Sequence, residues 1–255
     1  MEHSFIVLAY GESPFLEGCL RSLTAQTTSS RIVLSTSTPS AFLKRIAAEA
    51  AVETRVNPER EGITADWNFA LSQAETRYVT LAHQDDVYAP AFTAKSLALF
   101  AREPRAALSF TGYQEIDDEG RPKSSKISRV KHLIELATIG RREVLNGRAL
   151  RAFLSFGNPL PCSSVTFDRL NLKQFQFSAE FQSNLDWEAW WRLAQAGETF
   201  LHVPERLVGR RHNALTATSS LIADGTRRTE DLAMFRKAWP RPLADVIALT
   251  YRAGY

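Results

Sequence analysis

The first 110 residues alternate short β-rich runs with longer amphipathic segments, and this alternation limits the fold more than any other feature. A strand is predicted at 5–9, and a helix follows over 15–26 because its apolar residues recur at helical spacing. Repeated strand–helix–strand units form right-handed crossovers and a mostly parallel sheet with helices on both faces. The sequence therefore predicts an α/β fold of Rossmann-like type. Further strands are predicted at 31–35, 52–56, 78–82 and 106–111, and further helices at 40–51, 63–75 and 90–103.

The second half of the chain is less regular and is predicted to form a smaller, mixed part of the fold. Its pattern contains no internal repeat and no flexible linker. We expect one domain over residues 1–220, with residues 221–255 as a helical extension packed on it. Helices are predicted at 147–154, 185–196, 227–239 and 243–253, and strands near 164–167, 199–203 and 207–211.

Composition excludes several classes of protein. With 255 residues, 44% hydrophobic and 23% charged, the chain resembles an ordinary soluble globular protein, and no apolar run approaches the roughly 18 residues of a membrane-spanning helix. Cys19 and Cys162 cannot build a disulfide framework, so a cytoplasmic location is expected. The net charge of +3 is too small to indicate nucleic-acid binding.

Positive charge is concentrated in one segment. Residues 121–151 contain nine Lys and Arg but only two Glu. Such a run is typical of a solvated loop and helix face. The alternative is a surface that meets anionic lipid or a phosphate-bearing substrate, and the sequence leaves both interpretations open.

Two adjacent carboxylates, Asp85 and Asp86, follow the predicted strand at 78–82. Ligands of parallel α/β sheets bind beyond the carboxyl ends of the strands, which is where this loop lies. Neighbouring carboxylates repel each other unless a cation compensates, and Mg²⁺ or Mn²⁺ with substrate phosphate oxygens would do so. The alternative is that one of the two aspartates caps the following turn.

Asp186 begins a tryptophan-rich helix. It is either a general base held beside a binding groove or the capping-box partner of Ser183. The tryptophans at 187, 190 and 191 recur at helical spacing, which is typical of a core face, although one of them could stack on a sugar ring. Later in the chain, Arg210 and Arg211 could hold a diphosphate, and His212 could complete a metal site.

Taken in order, these segments resemble the family 2 glycosyltransferases of GT-A fold. The opening runs FIVLAYGE at 5–12 and FLEGCLRSLTAQT at 15–27 resemble that family's first strand, loop and helix. Residues 57–71, followed by RYVTLAHQDD at 77–86, are similar to its approach to a metal-binding Asp-x-Asp element. LDWEAWWRL at 185–193 resembles the segment with its catalytic acidic residue, and Arg211, His212 and Thr216 resemble its late basic stretch. The resemblance covers residues 4–216.

The resemblance implies an inverting transfer of a sugar from a nucleotide-diphosphate sugar to a hydroxyl of a saccharide or lipid-linked acceptor. Asp186 would take the acceptor proton, and Asp86 and His212 would ligate Mn²⁺ or Mg²⁺. Ser163 and Trp187 would lie on the acceptor side. The implied setting is surface polysaccharide or glycolipid synthesis at the inner membrane face, with a peripheral membrane contact or a homodimer. The implied donor-binding residues are Ala9, Tyr10, Glu12, Ser35, Gly62, Asn68, Gln84, Asp85 and Arg211.

Two departures from the family pattern keep other functions open. Hydroxyl residues occupy 35–38, where the family commonly has acidic residues that hold the nucleoside, and Gln84 replaces the first Asp of Asp-x-Asp. One alternative is a non-catalytic binding module that has lost donor recognition. Another is a metal-dependent nucleotide-sugar hydrolase in which Asp186 activates water.

Overall fold

A computed structural model describes residues 1–59, 61–123, 126–211, 221 and 224–252, with only the backbone described for 126–131 and 252. Its strands join in one nine-stranded sheet. The strands are β1 (His3–Ala9), β2 (Arg31–Thr36), β3 (Glu53–Val56), β4 (Tyr78–His83), β5 (Val87–Tyr88), β6 (Leu108–Ile116), β7 (Val144–Leu145), β8 (Val165–Asp168) and β9 (Phe200–Arg211).

Helices cover the sheet and connect its strands. A short 3₁₀ turn over Cys162–Ser164 precedes β8. Among the described residues, no helix combines the length and the apolar composition that crossing a bilayer requires. The α-helices are α1 (Leu16–Thr24), α2 (Ala41–Glu49), α3 (Ile63–Ser72), α4 (Phe92–Arg102), α5 (Lys126–Thr138), α6 (Gly147–Leu154), α7 (Leu185–Gln195), α8 (Thr226–Ala238) and α9 (Arg241–Arg252).

The strand order is β3-β2-β1-β4-β8-β6-β9-β5, with β7 also paired to β9. The first four strands are parallel to their neighbours, whereas β8 runs antiparallel between β4 and β6. The predicted α/β fold, with a parallel part and a mixed part, is therefore confirmed. Because β8 joins the two parts, the carboxyl end of β4 lies where the parallel and mixed parts meet.

Burial explains why the parallel strands are continuous apolar runs. Phe5, Ile6 and Val7 of β1 are all fully buried, as expected of a central strand with helices on both faces. Phe5 and Val7 pack in the core cluster beneath α1 and α2, while Ile6 faces a second cluster that includes residues of α3, α6 and α7.

The structure differs from the sequence prediction along β9. The two strands predicted at 199–203 and 207–211 form one strand, which bulges opposite Gly112 of β6. A Cβ atom at Gly112 would lie 3.1 Å from the carbonyl oxygens of Pro204 and Glu205, so glycine lets the two backbones approach. Helix α5 also falls where no helix was predicted.

The last two helices pack against the rest of the structure. Phe235 of α8 is fully buried, and its ring lies 5.2 Å from that of Trp187 in an edge-to-face contact. Helix α9 buries Ala244 and Ala248 and leaves three apolar side chains exposed on its other side. These are Leu243, Val246 and Leu249. The domain division near residue 220 stays a prediction.

Candidate functional site

Polar side chains join the loops that follow the parallel strands. Gln84, after β4, accepts a hydrogen bond from the N–H of Tyr10 at 3.2 Å and donates one to its carbonyl oxygen at 2.9 Å. The N–H of Gly11, where φ is +63°, donates to the hydroxyl of Thr38 after β2. These bonds fix the loops after β1, β2 and β4 in one layer at the carboxyl edge of the sheet, where the sequence predicts a ligand site.

The two adjacent aspartates lie in this layer with different environments. Asp85 is half-buried and accepts a hydrogen bond from the Ser13 hydroxyl at 2.6 Å. Asp86 is 2% exposed, and its Oδ1 accepts the N–H of Arg211 at 2.9 Å. Its Oδ2 is buried and has no hydrogen-bond partner within the part of the chain that the structure describes.

Burial raises the pKa of both carboxyl groups. For Asp85, the Ser13 hydroxyl lowers the pKa while the charge of Asp86 raises it. For Asp86, the raising effect of burial outweighs the lowering effects of the Ser163 hydroxyl and the Arg211 N–H. Ionising both groups in this site is therefore costly, and a bound cation would offset that cost.

Asp186 is the one open position in a buried stretch. From residue 183 to residue 191 every residue is buried except Asp186. Its Oδ1 accepts a hydrogen bond from the N–H of Trp187 at 2.8 Å, and the N-cap of α7 is Asn184, whose side chain makes no capping bond. The capping box with Ser183 is therefore wrong, and Asp186 directs its carboxylate out of an otherwise buried helix start.

The pKa of His83 responds to carboxylates of both halves of the chain. Burial lowers the pKa of His83 to about 4, the positive charge of Arg210 lowers it as well, and the charges of Asp186 and Asp85 raise it. His83 is therefore a neutral imidazole near neutral pH, within electrostatic range of both acids. The charge of Asp186 also raises the pKa of the buried Cys162 thiol, which adjoins Ser163 beside Asp86.

Two amides that the resemblance placed against the donor are bound to the main chain. Asn68 accepts the N–H of Phe177 at 2.8 Å and donates to its carbonyl oxygen at 2.9 Å. Gln84 makes the corresponding pair of bonds to Tyr10. These paired bonds show that Asn68 and Gln84 hold loops in place. Each amide retains a second N–H and a second oxygen lone pair, and its role in donor binding stays a prediction.

Arg211 also has a structural role where a donor contact was expected. The residue is 8% exposed, and its guanidinium lies 4.3 Å from the centre of the Phe15 ring. Its Nε donates to the Asp85 carbonyl oxygen at 3.0 Å, and another nitrogen donates to the carbonyl of Asp117. Arg211 therefore fixes the loop that contains the two aspartates.

Four further predicted site residues are buried. Trp187 is 1% exposed and donates its indole N–H to the Leu154 carbonyl, so it is a core residue and cannot contact an acceptor. Ser163 is fully buried beside Asp86. Ala9 and Ser35 are 4% and 3% exposed, and their role in donor binding stays a prediction. Of the predicted donor residues at this edge, Tyr10 and Glu12 are exposed.

Gly62 occupies the N-cap of α3 with a φ of +92°, a conformation that favours glycine. Asp66, in the first turn of the same helix, was not predicted as a site residue. Its carboxylate accepts the Ser37 hydroxyl at 2.8 Å and the Asn57 side-chain amide at 2.9 Å. An acidic group therefore stands at the ends of β2 and β3, although residues 35–38 contain none. Only the fold brings it there, so the local sequence could not reveal it.

The described residues are compatible with a divalent cation that takes only one or two ligands from the protein. Within the described ranges, no group of three or more His, Cys, Asp or Glu side chains is placed to bind a metal ion. The predicted ligand His212 lies outside the described residues. Asp86 nevertheless offers an oxygen that no described residue hydrogen-bonds, and Mg²⁺ commonly takes one or two carboxylates and completes its shell with water and phosphate oxygens.

Sequence comparison identifies the family. The profile described as glycosyl transferase family 2 matches residues 4–157, which is more than half of the chain. The chain therefore belongs to glycosyl transferase family 2. The matched range includes Asp85 and Asp86 but ends before Asp186. A search of curated proteins found no match to the sequence.

Solved structures share the fold. The crystal structure of S. aureus TarS 1-349 in complex with UDP-GlcNAc is 17% identical with a TM-score of 0.62, and the match covers 97% of this chain and 70% of that one. A longer S. aureus TarS structure, 14% identical with a TM-score of 0.63, is covered over 42% of its length and matches 97% of this chain. The mannosyltransferase PcManGT from Pyrobaculum calidifontis, in complex with GDP-Man and Mn²⁺, is 17% identical with a TM-score of 0.65. The match covers 98% of this chain and 69% of that one. The chain thus has the GT-A glycosyltransferase fold.

Proposed function

We propose that this protein transfers a sugar, with inversion at the anomeric carbon, from a nucleotide-diphosphate sugar to an acceptor hydroxyl. The observation that carries this proposal is the placement of Asp186. It is the one open side chain of a buried helix start, and it shares the surroundings of His83 with Asp85. A group that takes a proton on one side, opposite a group that holds a diphosphate on the other, is what an inverting displacement requires.

The donor nucleotide is assigned to the loops after β1 and β2. Tyr10 is 69% exposed at the end of β1 and offers a ring on which a base can stack. Asp66 is held beside Ser37 and Asn57, so its carboxylate can accept ribose hydroxyls in place of the acidic residues that 35–38 lack. The TarS structure holds UDP-GlcNAc and the PcManGT structure holds GDP-Man, which supports a nucleotide-sugar donor.

The proposed cofactor is Mn²⁺ or Mg²⁺, held by Asp86 through Oδ2 with Asp85 beside it in the sequence. His212, which lies outside the described residues, is a further proposed ligand. The raised pKa values of Asp85 and Asp86 and the unpartnered oxygen support this assignment, as does the Mn²⁺ in the PcManGT structure. When bound, such an ion neutralises charge on the diphosphate leaving group.

In the proposed reaction, the acceptor oxygen forms a bond to the anomeric carbon while the bond from that carbon to the diphosphate oxygen breaks. The acceptor proton passes to the Asp186 carboxylate, and the nucleoside diphosphate leaves as an anion. Asp186 acts as the general base, and His83 is neutral near pH 7 because burial lowers its pKa to about 4.

The proposed setting is synthesis of a surface polysaccharide or glycolipid, with a saccharide or lipid-linked acceptor on the cytoplasmic side of a membrane. The basic segment 121–151 and the exposed apolar side chains of α9 are compatible with a peripheral membrane contact.

The test combines turnover with stereochemistry. The protein is incubated with UDP-GlcNAc or GDP-mannose, Mn²⁺ and a panel of saccharide acceptors, and NMR determines the anomeric configuration of the product. We expect a glycoside of opposite configuration to the donor. A product of retained configuration would contradict the inverting mechanism, and release of free sugar at the same rate with and without acceptors would favour the hydrolase.

A further inference from the structure

The helix start that carries Asp186 is capped by a side chain from another helix. The carboxylate of Glu230, on α8, accepts hydrogen bonds from three consecutive main-chain N–H groups at the entry to α7. Its Oε1 accepts from Gln182 at 2.7 Å, and its Oε2 accepts from Ser183 and Asn184, each at 2.8 Å. Glu230 is 9% exposed, so water does not readily replace it.

These three N–H groups belong to the residues just before α7, whereas in the first turn of α7 Asp186 itself accepts the N–H of Trp187 at 2.8 Å. The N-cap residue Asn184 makes no side-chain capping bond, and its amide nitrogen instead donates to Asp231 of α8 at 2.9 Å. Main-chain N–H groups are costly to bury unsatisfied. The segment 182–184 that leads into α7 is therefore held by hydrogen bonds to a side chain of α8.

Helix α8 is itself firmly docked. Phe235 is fully buried against Trp187, and the indole of Trp239, just beyond α8, donates to the Ser155 carbonyl at 2.8 Å. Arg227 adds a hydrogen bond to the Ser183 hydroxyl at 3.1 Å. Contacts at several points along α8 thus keep Glu230 against the start of α7.

We infer that Glu230 is a positioning residue for Asp186, which holds the first turn of α7 so that the Asp186 carboxylate meets the acceptor hydroxyl. This inference rests on the proposed function. Asp186 lies two residues after Asn184, in the first turn, and it is the one residue of 183–191 that is not buried. A shift of this turn redirects the base without touching the nucleotide loops after β1, β2 and β4.

The test compares two variants of Glu230 with a matched control. Glu230→Ala removes the cap, and Glu230→Gln keeps one amide oxygen that can still accept from Ser183 and Asn184. Glu188→Gln is the control, because Glu188 is a buried carboxylate on α7 that pairs with Arg192 and caps nothing. Three readouts are taken for each protein: hydrogen exchange of the 182–187 amides, calorimetric binding of UDP or GDP with Mn²⁺, and the initial rate of UDP or GDP release from the sugar nucleotide.

For Glu230→Ala we expect faster exchange at 182–184, unchanged nucleotide affinity and a fall in kcat of about tenfold or more. Glu230→Gln should recover much of the lost rate, and Glu188→Gln should match the wild type in all three readouts. If Glu230→Ala does not fold, Glu230→Gln must still show faster exchange and lower kcat than Glu188→Gln.

Three results would overturn the inference. These are unchanged exchange at 182–184 in both Glu230 variants, faster exchange with unchanged kcat, and a loss of nucleotide affinity equal to the loss of kcat. A wild type that turns over neither sugar nucleotide would instead refute the proposed function, and the exchange data would then still decide whether Glu230 caps α7.

Discussion

At the scale of single residues, the site contains many polar side chains, but they differ in how exposed they are and in what they already bind. Tyr10 and Asp186 are exposed or half-open, whereas Asn68, Gln84 and Arg211 are bound to main-chain groups of other segments. These three side chains join neighbouring segments of the chain and so fix the loops around the open groups. The chemistry of the site therefore belongs to few residues, and the others hold them in place.

Tyr10 provides the residue-scale prediction. Replacing it with alanine should weaken binding of UDP or GDP about tenfold, because stacking of a base on an aromatic ring is worth roughly 1–3 kcal/mol. Tyr10→Phe keeps the ring and should bind like the wild type. Calorimetry with Mn²⁺ measures both affinities. Equal affinity for Tyr10→Ala and the wild type would remove the ring from the donor site.

At the scale of elements, the sequence predicted those strands and helices that local hydrophobic patterns specify. The strands and helices of the first 110 residues follow their hydrophobic periodicity, and the structure contains each of them. The roles of Asn68 and Gln84 could not be predicted, because their partners lie 109 and 74 residues away in the chain. The same holds for Glu230, whose capping bonds to the start of α7 join residues 46 or more positions apart.

The join between the two parts of the sheet depends on an ion pair at the end of β8. Asp168 is fully buried and accepts hydrogen bonds from Arg77 at 2.8 Å and from the N–H of Leu170 at 2.9 Å. Arg77 extends from the segment that enters β4, the strand beside β8. This contact therefore ties the parallel part to the strand that begins the mixed part.

Replacing Asp168 with alanine should lower the free energy of unfolding by about 2–4 kcal/mol, because it leaves a cation and a main-chain N–H without their partner. This loss is no larger than the loss expected from breaking a fully buried ion pair, because the Arg77 side chain is 36% exposed. Glu119→Ala, which breaks an exposed pair with Arg121, should cost less than about 1 kcal/mol. Urea denaturation compares them, and equal losses for the two variants would refute this account of the join.

At the scale of the whole molecule, the site exists only when both parts of the sheet are folded together. Asp85 and Asp86 follow a strand of the parallel part, and Asp186 belongs to a helix of the later half. Arg211 of β9, also in the later half of the chain, binds Asp86 and the Asp85 carbonyl and so ties the later half to the loop with the two aspartates. Conditions that unfold the central strands should therefore abolish binding and turnover together.

One such condition is acid. His3, fully buried in β1, is hydrogen-bonded to the hydroxyls of Ser30 and Thr80, and burial lowers its pKa to about 3. An unfolded histidine titrates near pH 6.5, so the unfolded chain binds this proton first and the stability falls as the pH drops below that value.

His3→Gln removes this titration and keeps polar atoms for the two hydroxyls. Between pH 7 and pH 5 the wild type should lose about 2 kcal/mol more unfolding free energy than the variant. Urea denaturation at the two pH values measures the difference, and equal losses in the two proteins would show that His3 is not buried as a neutral ring.

The central claim is that Asp186 and the Asp85–Asp86 pair serve one transfer reaction: the aspartate pair holds the donor diphosphate through a cation, and Asp186 takes the proton of the acceptor. The most direct measurement compares Asp186→Asn with the wild type for calorimetric affinity toward UDP or GDP with Mn²⁺ and for the rate of nucleotide release from the sugar nucleotide. The account predicts affinity within about twofold of the wild type and a turnover reduced roughly 100-fold or more, since the variant keeps its shape but cannot take the proton. Turnover close to that of the wild type, or an affinity that falls as far as the turnover, would contradict it.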